Sequence, residues 1–352
     1  MPVPNVGRGF FPLDKQLKLQ DLHWSEELAR EIVWLSGLVA FGDAAEILQE
    51  IGQIRVSKSS VWRIAQKWGE EFRKVENERT DRANALPGRE QIVPGEDSGI
   101  ERLGTSMDGA MMYILEEGWK ELKVGTVFSV EEVGVVDKVT LEEEQVGRAQ
   151  NVSYVAHLGG PEEFGKLLWA EAHQREWTKA FDTQVVGDGA AWIWNQVADH
   201  FYDSHQLVDW YHATEHLARA AEALYGGQVQ TRQRWLNEQK QALFQGQAEA
   251  ISQLLSQKAE EKQGDIKQLL LQEAGYFENH KRRMNYLEMR MEGWLIGSGT
   301  VESGAKQYKE RFTGPGMRWK RPGAEHLIPI RSAIMTADFH QRWHAIYSSP
   351  RN

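Results

Sequence analysis

Three acidic residues, Asp108, Asp188 and Glu302, stand in settings that suit a carboxylate for chemistry. Thr183-Gln184-Val185-Val186 runs through apolar β-branched residues into Gly187-Asp188-Gly189, and Ala191 to Val197 continues in a helix-compatible pattern. The stretch reads as a buried strand, a tight turn and a helix. An Asp at the carboxyl end of such a strand is well placed to reach a crevice, although an Asp between two glycines is equally a turn former. Leu103 to Met107 approaches Asp108-Gly109 in a similar way. Gly297-Ser298-Gly299-Thr300-Val301-Glu302-Ser303 loosens the backbone and then opens a helix over Val301–Phe312, with Ser298 or Thr300 as its cap. Glu302 falls in the first turn, where negative charge is favoured. Three convergent carboxylates repel one another unless cations neutralise them. Two divalent ions about 3.5–4 Å apart do so, and they also activate a water or 3′-hydroxyl for in-line phosphoryl displacement. Mg²⁺ suits such a site, with Mn²⁺ as the alternative.

These carboxylates need a sheet to carry them. Residues 103–109, 119–130, 152–156, 183–186 and 206–210 read as strands. Helices are expected at Pro161–Lys179 and from Ala191. The chain therefore runs three strands, helix, strand, helix, strand, with Asp108 in the first strand region and Asp188 after the fourth. From His212 to about Asn285 the pattern is almost purely helical, with helices expected over 214–224, 231–255 and 258–279. This is an α-helical insertion whose charged helices are expected to present solvated faces. Trp192 and Trp194 read as core.

Ahead of the sheet, Ser25-Glu26-Glu27-Leu28 opens a helix carrying Leu28, Ile32, Leu35 and Val39. Gly42 interrupts, Asp43 caps a second helix, and Ser57 caps a third over Lys58–Trp68. Three short helices with a Gly-containing turn before the third resemble a helix-turn-helix unit. The third helix would expose Lys58, Ser59, Arg63 and Lys67 while Val61, Ile64 and Trp68 face inward. A small packed three-helix bundle fits the same pattern.

Composition bounds the function. The 352 residues allow two or three domains, and 41% apolar with 26% charged residues fits an ordinary globular chain. No run is apolar enough for a membrane span, and the N-terminus lacks a secretory layout, so a cytoplasmic protein is expected. With no cysteine, any metal must be held by carboxylates and histidines. A net charge of −10 argues against nucleic-acid binding overall. Between Asn279 and Arg342, however, twelve Lys/Arg face six Asp/Glu. Arg311, Arg318, Lys320 and Arg321 fall in this basic stretch, and Trp319 between Arg318 and Lys320 is a candidate for stacking on a base.

Taken together, the pattern resembles a bacterial insertion-sequence DDE transposase of the Kra-type family. Such proteins have an RNase H-like catalytic core, an all-α insertion before the Glu and an N-terminal helix-turn-helix. The first Asp lies in strand one, the second after strand four and the Glu on a late helix, at separations of 80 (188−108) and 114 (302−188). Asp209-Trp210-Tyr211-His212 matches the (Cys/Asp)-x-x-His motif of the Mutator-like branch, and Gly297 to Ser303 is similar to the Kra-type Glu motif. The resemblance covers roughly residues 25–335. It implies that Asp108, Asp188 and Glu302 are the catalytic, metal-binding carboxylates. Asp209 and His212 would lie beside them, His212 contacting phosphate or organising the site without serving as a ligand. It implies an α/β chain divided as follows: an arm at 1–24, a helix-turn-helix domain at 25–80, a linker at 81–101, the first part of the core at 102–212, the insertion at 213–292, the last core helices with the basic segment at 293–340, and a tail at 341–352. The partners implied are double-stranded DNA, both element ends and target, and a second copy of the chain on that DNA, in the bacterial nucleoid. A DNA-binding regulator or domesticated transposase without catalysis, a structure-selective RNase H-like nuclease such as a junction resolvase, and a glycosidase are the competing readings.

Overall fold

The computed structural model describes residues 24–86, 102–136 and 143–348. Positions 1–23, most of the expected linker (87–101) and the last four residues of the expected tail lie outside the described residues. The chain is α/β and falls into two compact units. One comprises Met1–Asn77, Tyr113–Gly118 and Glu310–Asn352, and the other Glu78–Met112 and Trp119–Lys309.

The first unit is built from helices. α1 (Glu26–Leu38) starts where the Ser25 side chain accepts a hydrogen bond from the Leu28 amide. α2 (Phe41–Glu50) runs through Gly42, so the expected interruption falls two residues earlier, at Ala40, and Asp43 sits within the first turn instead of capping it. The third helix, α3 (Lys58–Ala85), begins where Ser57 Oγ accepts from the Ser60 amide at 3.1 Å. Val61, Ile64 and Trp68 are buried, while Lys58, Ser59, Arg63 and Lys67 are exposed, as the helical period requires. The helix does not stop near Trp68, because Phe72 is buried and stacks on Phe339 at 5.5 Å. Its last turns occupy the start of the segment expected to be a linker.

The second unit is organised by a five-stranded sheet in the order β3-β2-β1-β4-β5. β1 is Arg102–Ile114, β2 Gly118–Val136 and β3 Glu143–His157. α4 (Pro161–Gln174) ends earlier than its apolar pattern suggested, and a short 3-10 turn at Trp177–Lys179 follows it. β4 (Asp182–Gly187), α5 (Ala191–His200) and β5 (His205–Val208) complete the sheet layer. β1, β4 and β5 run parallel, and β2 pairs antiparallel with β3. Val185 and Val186 are fully buried in the core beneath Phe164 and Leu168 of α4 and Ile193 of α5.

Beyond the sheet the second unit is helical. α6 is Trp210–Tyr225, α7 Val229–Phe244, α8 Ala248–Glu260, α9 Gly264–His280 and α10 Tyr286–Met291. The single helix expected over 231–255 is two, because Gly246 adopts φ +79° and breaks it. α11 (Gly299–Phe312) is the late helix that carries Glu302. In the first unit, α12 (Arg321–Met335) packs on α1, with the Arg331 guanidinium donating to the Gly37 carbonyl at 3.3 Å. α13 (Phe339–Ser348) replaces the expected tail with a helix, anchored by Trp343 against Trp68 at 4.3 Å.

One polar junction inside the helical region is buried. The Glu273 carboxylate on α9 receives Arg219 Nε of α6 at 2.9 Å and the His216 ring of the same helix. Burial would raise its carboxyl, but these two partners outweigh that and hold it below the usual range. A depressed carboxyl stabilises the fold above its unfolded value, near 4.5, and loses that contribution as pH falls through the folded value. Glu273→Gln should therefore cost about 1–3 kcal/mol at pH 7 in urea denaturation, with the difference from wild type narrowing below pH 4.5.

Candidate active site

The pairing register places two aspartates side by side. Met107 on β1 is the partner of Gly187 on β4, so Asp108 on β1 and Asp188, the residue that follows β4, come directly after the last paired position. Asp108 lies midway along β1 and not at its end. It does stand where the pairing with β4 stops. β5 adds a third aspartate. Val208 is the partner of Gly187, and the following Asp209 amide donates to the Gly187 carbonyl at 2.7 Å. Asp108, Asp188 and Asp209 thus stand side by side where the pairing of β1, β4 and β5 ends, the position where open α/β sheets bind ligands.

Each carboxylate has a different employment. Asp108 Oδ1 accepts from the Gly109 amide at 2.6 Å, and Asp188 Oδ1 accepts from the Ala190 amide at 2.7 Å, closing the turn into α5. Gly189 makes that turn possible. Its φ is +100°, and a Cβ there would meet the Tyr276 ring at 2.9 Å. Burial raises the Asp108 carboxyl. The Gly109 amide opposes this, the charge of Asp188 adds to it, and His212 and Lys309 lower it less. The net effect is upward, as expected of two adjacent carboxylates short of positive charge.

Asp209 is fully buried and committed to the protein on both oxygens. Oδ1 accepts from the His212 amide at 2.8 Å and from the His212 ring at 3.2 Å, capping α6, and Oδ2 accepts from the Ser298 amide. Burial alone would raise this carboxyl, but the donors outweigh it and hold Asp209 below the usual carboxylate range. The bond to Asp209 in turn raises His212 to about 9 against a smaller opposing effect of burial, so His212 is a cation at neutral pH. The sequence reading set Asp209 in the fifth strand. In the structure the strand stops at Val208, and Asp209 is a helix cap.

Glu302 arrives at this end through the same contact. The Ser298 amide binds Asp209, Ser298 Oγ donates to Glu302 Oε1 at 3.2 Å, and the Trp210 amide donates to the Ile296 carbonyl at 2.9 Å. Ligand atoms of Asp209, His212 and Glu302 all lie within 4.8 Å of one another. The compact trio among the described residues is therefore not Asp108, Asp188 and Glu302. Glu302 is exposed on the first turn of α11, while the two aspartates stand on the neighbouring strands.

Two residues of the helical insertion that sequence reasoning missed belong to this site. The Tyr276 hydroxyl on α9 donates to the Asp188 carbonyl at 3.2 Å, and its ring stacks on His216 at 3.4 Å. Burial and the charges of Asp188 and Asp209 push its phenol above the usual range, so it remains a donor. His280 follows one turn later, its ring 5.0 Å from that of Tyr276. Burial, with Arg283 next in effect, lowers it, so it is neutral. Tyr276 and His280 recur at helical spacing in a charged segment. That spacing was the available signal, and it did not say which neighbour they would meet.

The proposed DNA contacts all lie in the first unit. Lys58, Ser59, Arg63, Lys67, Arg318 and Lys320 are exposed. Arg311 and Trp319 are not. The Arg311 guanidinium is buried and donates from Nε to the Ser36 carbonyl at 2.8 Å, and Trp319 Nε1 donates to the Phe312 carbonyl at 2.8 Å. Trp319 is thus a core residue and cannot lie against a base without unpacking. Arg321 is half-buried and paired with Glu117 at 2.6 Å and Glu325 at 3.3 Å. Charge counting along the chain could not separate these paired and buried cations from those facing solvent.

The donor set suits a hard cation. Asp108 and Asp188 each turn one oxygen to a backbone amide, while the other oxygen of each accepts no hydrogen bond among the described residues. Among the described residues, no helix is long and apolar enough to cross a membrane. No protein-family model matches the sequence, and no curated protein matches it at a significant level. The Asp209–His212 bond is directly measurable. In Asp209→Asn the imidazolium loses its ionic partner, and the His212 pKa should fall from about 9 toward 6.5 in an NMR titration. A value still near 9 would mean that another group holds the proton.

Proposed function

We propose that the chain is a DNA transposase with a DDE site on an RNase H-like core, similar to the bacterial Kra-type insertion-sequence family. The observation that carries this reading is the register. Asp108 on the first strand and Asp188 after the fourth stand on adjacent parallel strands, and the late helix carrying Glu302 is tied to the same sheet end through Asp209. The helical stretch between Asp209 and Ser298 fits an all-α insertion before the Glu. α1, α2 and the exposed polar start of α3 fit a helix-turn-helix that meets the element ends.

In this reading Asp108, Asp188 and Glu302 hold two Mg²⁺ ions, or Mn²⁺ in their place. The ions, when bound, activate the attacking water or 3′-hydroxyl and stabilise the leaving oxygen of the cleaved phosphodiester. The chain's own residues do the rest. The raised Asp108 carboxyl and its neighbour Asp188 form a pair that a cation relieves of repulsion. Glu302, exposed and on a flexible side chain, completes the set from the helix side. Asp209 does not serve as a ligand, since its oxygens are already filled by amides and the His212 ring. It fixes the cationic His212 beside the carboxylates, where the ring can receive a DNA phosphate. Tyr276 holds the Asp188 turn from the insertion. The substrate is double-stranded DNA, element ends and target alike, and joining two ends calls for a homodimer on DNA.

Asp188→Asn should lower Mg²⁺-dependent strand cleavage and transfer by about a thousandfold or more, the scale of losing a transition-state-stabilising group. Binding to DNA carrying the terminal repeats should stay within a few-fold of wild type. Transfer activity retained by a clean preparation of this variant contradicts the assignment. Nicking without strand joining by the wild type points instead to a structure-selective nuclease, and specific binding without any Mg²⁺-dependent nicking to a regulator.

A further inference from the structure

A groove of about 720 Å³ opens in the first unit between the start of α3 and the segment from Pro315 to Lys320. Its volume lies in the range of sites for nucleotide-sized ligands. Lys58, Trp62 and Gln66 face it, at the i, i+4, i+8 spacing of one helix stripe, and Ser59 and Arg63 are not among its lining residues. The exposed face of α3 therefore divides into two, and only one part looks outward from the groove.

The lining mixes apolar surface with cations. Lys58, Lys67, Arg311, Arg318 and Lys320 are set against a single acid, Glu70. Trp62 is 47% exposed among them, an apolar ring left beside open space in a charged wall. The innermost cation is the most unusual. Arg311 is 2% exposed and packed against the rings of Phe41 at 5.1 Å and Trp319 at 5.3 Å. Its Nε is bonded, but its Nη2 has no hydrogen-bond partner among the described residues. A buried guanidinium with an unfilled donor costs free energy that a nearby anion would relieve. Burial, and then the neighbouring Arg331, push this guanidinium down to about 10. Cationic walls and an exposed indole together favour a ligand with alternating negative charge and flat rings.

We infer that this groove binds a short stretch of single-stranded nucleic acid, with a base stacked on Trp62 and the flanking phosphates held by the exposed Lys58, Arg318 and Lys320. A duplex keeps its base faces covered and cannot offer one to Trp62, whereas an unpaired strand can. The residues that the sequence divided between a recognition helix and a basic segment are, in this account, two walls of one site. The inference does not rest on the carboxylate site or on strand transfer.

The test uses the full chain carrying Asp188→Asn, without divalent cations, so that failure of the transposase reading leaves it intact. Fluorescence anisotropy compares a labelled ten-nucleotide oligo(dT) with a ten-base-pair duplex. Single-strand binding is expected to be the tighter of the two and to fall steeply with salt. Trp62→Ala should weaken it about 5- to 100-fold, the range for losing one stacked base, while Trp62→Phe retains most of it. Arg318→Ala should reduce the salt dependence, and both side chains are exposed, so neither change should alter the far-UV circular dichroism. The inference is overturned if Trp62→Ala binds the oligo(dT) like wild type, or if an acidic polypeptide competes for the oligonucleotide site as well as a second oligonucleotide does.

Discussion

The buried carboxylate of Asp209 is the fastening on which the arrangement at the sheet end depends. It closes the first turn of α6, holds the His212 ring, and receives the Ser298 amide from a segment 89 residues later in the chain. A carboxylate with no exposure survives only because donors fill both oxygens. Oδ2 is filled by the Ser298 amide, from the segment just before α11. Gly297 lies at the same contact, where a Cβ would come within 3.5 Å of Oδ2 and 3.0 Å of the Tyr211 ring. Glu302 is brought to the strand ends as a consequence.

From this follows a division of labour among four acids. Asp209 faces inward and is spent on structure, while Asp108 and Asp188 each retain an oxygen for a ligand. Glu302 is the exposed member, bonded through Ser298 Oγ. In the proposed reading, two strand-borne carboxylates and one on a helix would hold ions that are taken up and released with the DNA. The helices after β5 contribute to this too. α9 presses Tyr276 against the Asp188 turn, and the buried Glu273 junction holds α9 on α6.

Much of this is legible in the sequence. Val185-Val186-Gly187-Asp188 announced a buried strand and its terminal acid, and the burial of Val61, Ile64 and Trp68 follows the helical period. Other features carry little local signal. β2 and β3 extend far beyond their apolar segments as a paired ribbon, Val130 opposite Ala149 through Val136 opposite Glu143, where Glu131 and Glu132 are exposed and the backbone ladder supplies the stability. Arg311 and Trp319 sit in a basic stretch that reads as a surface, yet they turn inward because Ser36 and Phe312 offer them carbonyl oxygens. The place of Asp209 as a cap depends on Ser298, a partner no spacing rule connects to it. Long-range hydrogen bonds of this kind decide the site, and a linear pattern does not contain them.

In the proposed reading, Asp108, Asp188 and Glu302 together form a divalent-cation site, with Asp209 and His212 as its support. Anomalous scattering from crystals soaked in Mn²⁺ tests it most directly. Mn²⁺ peaks are expected between the carboxylates of Asp108 and Asp188, with Glu302 swung to join them and the Asp209–Ser298 bond unchanged. A peak confined to Asp209, His212 and Glu302, with Asp108 and Asp188 bare, would contradict it.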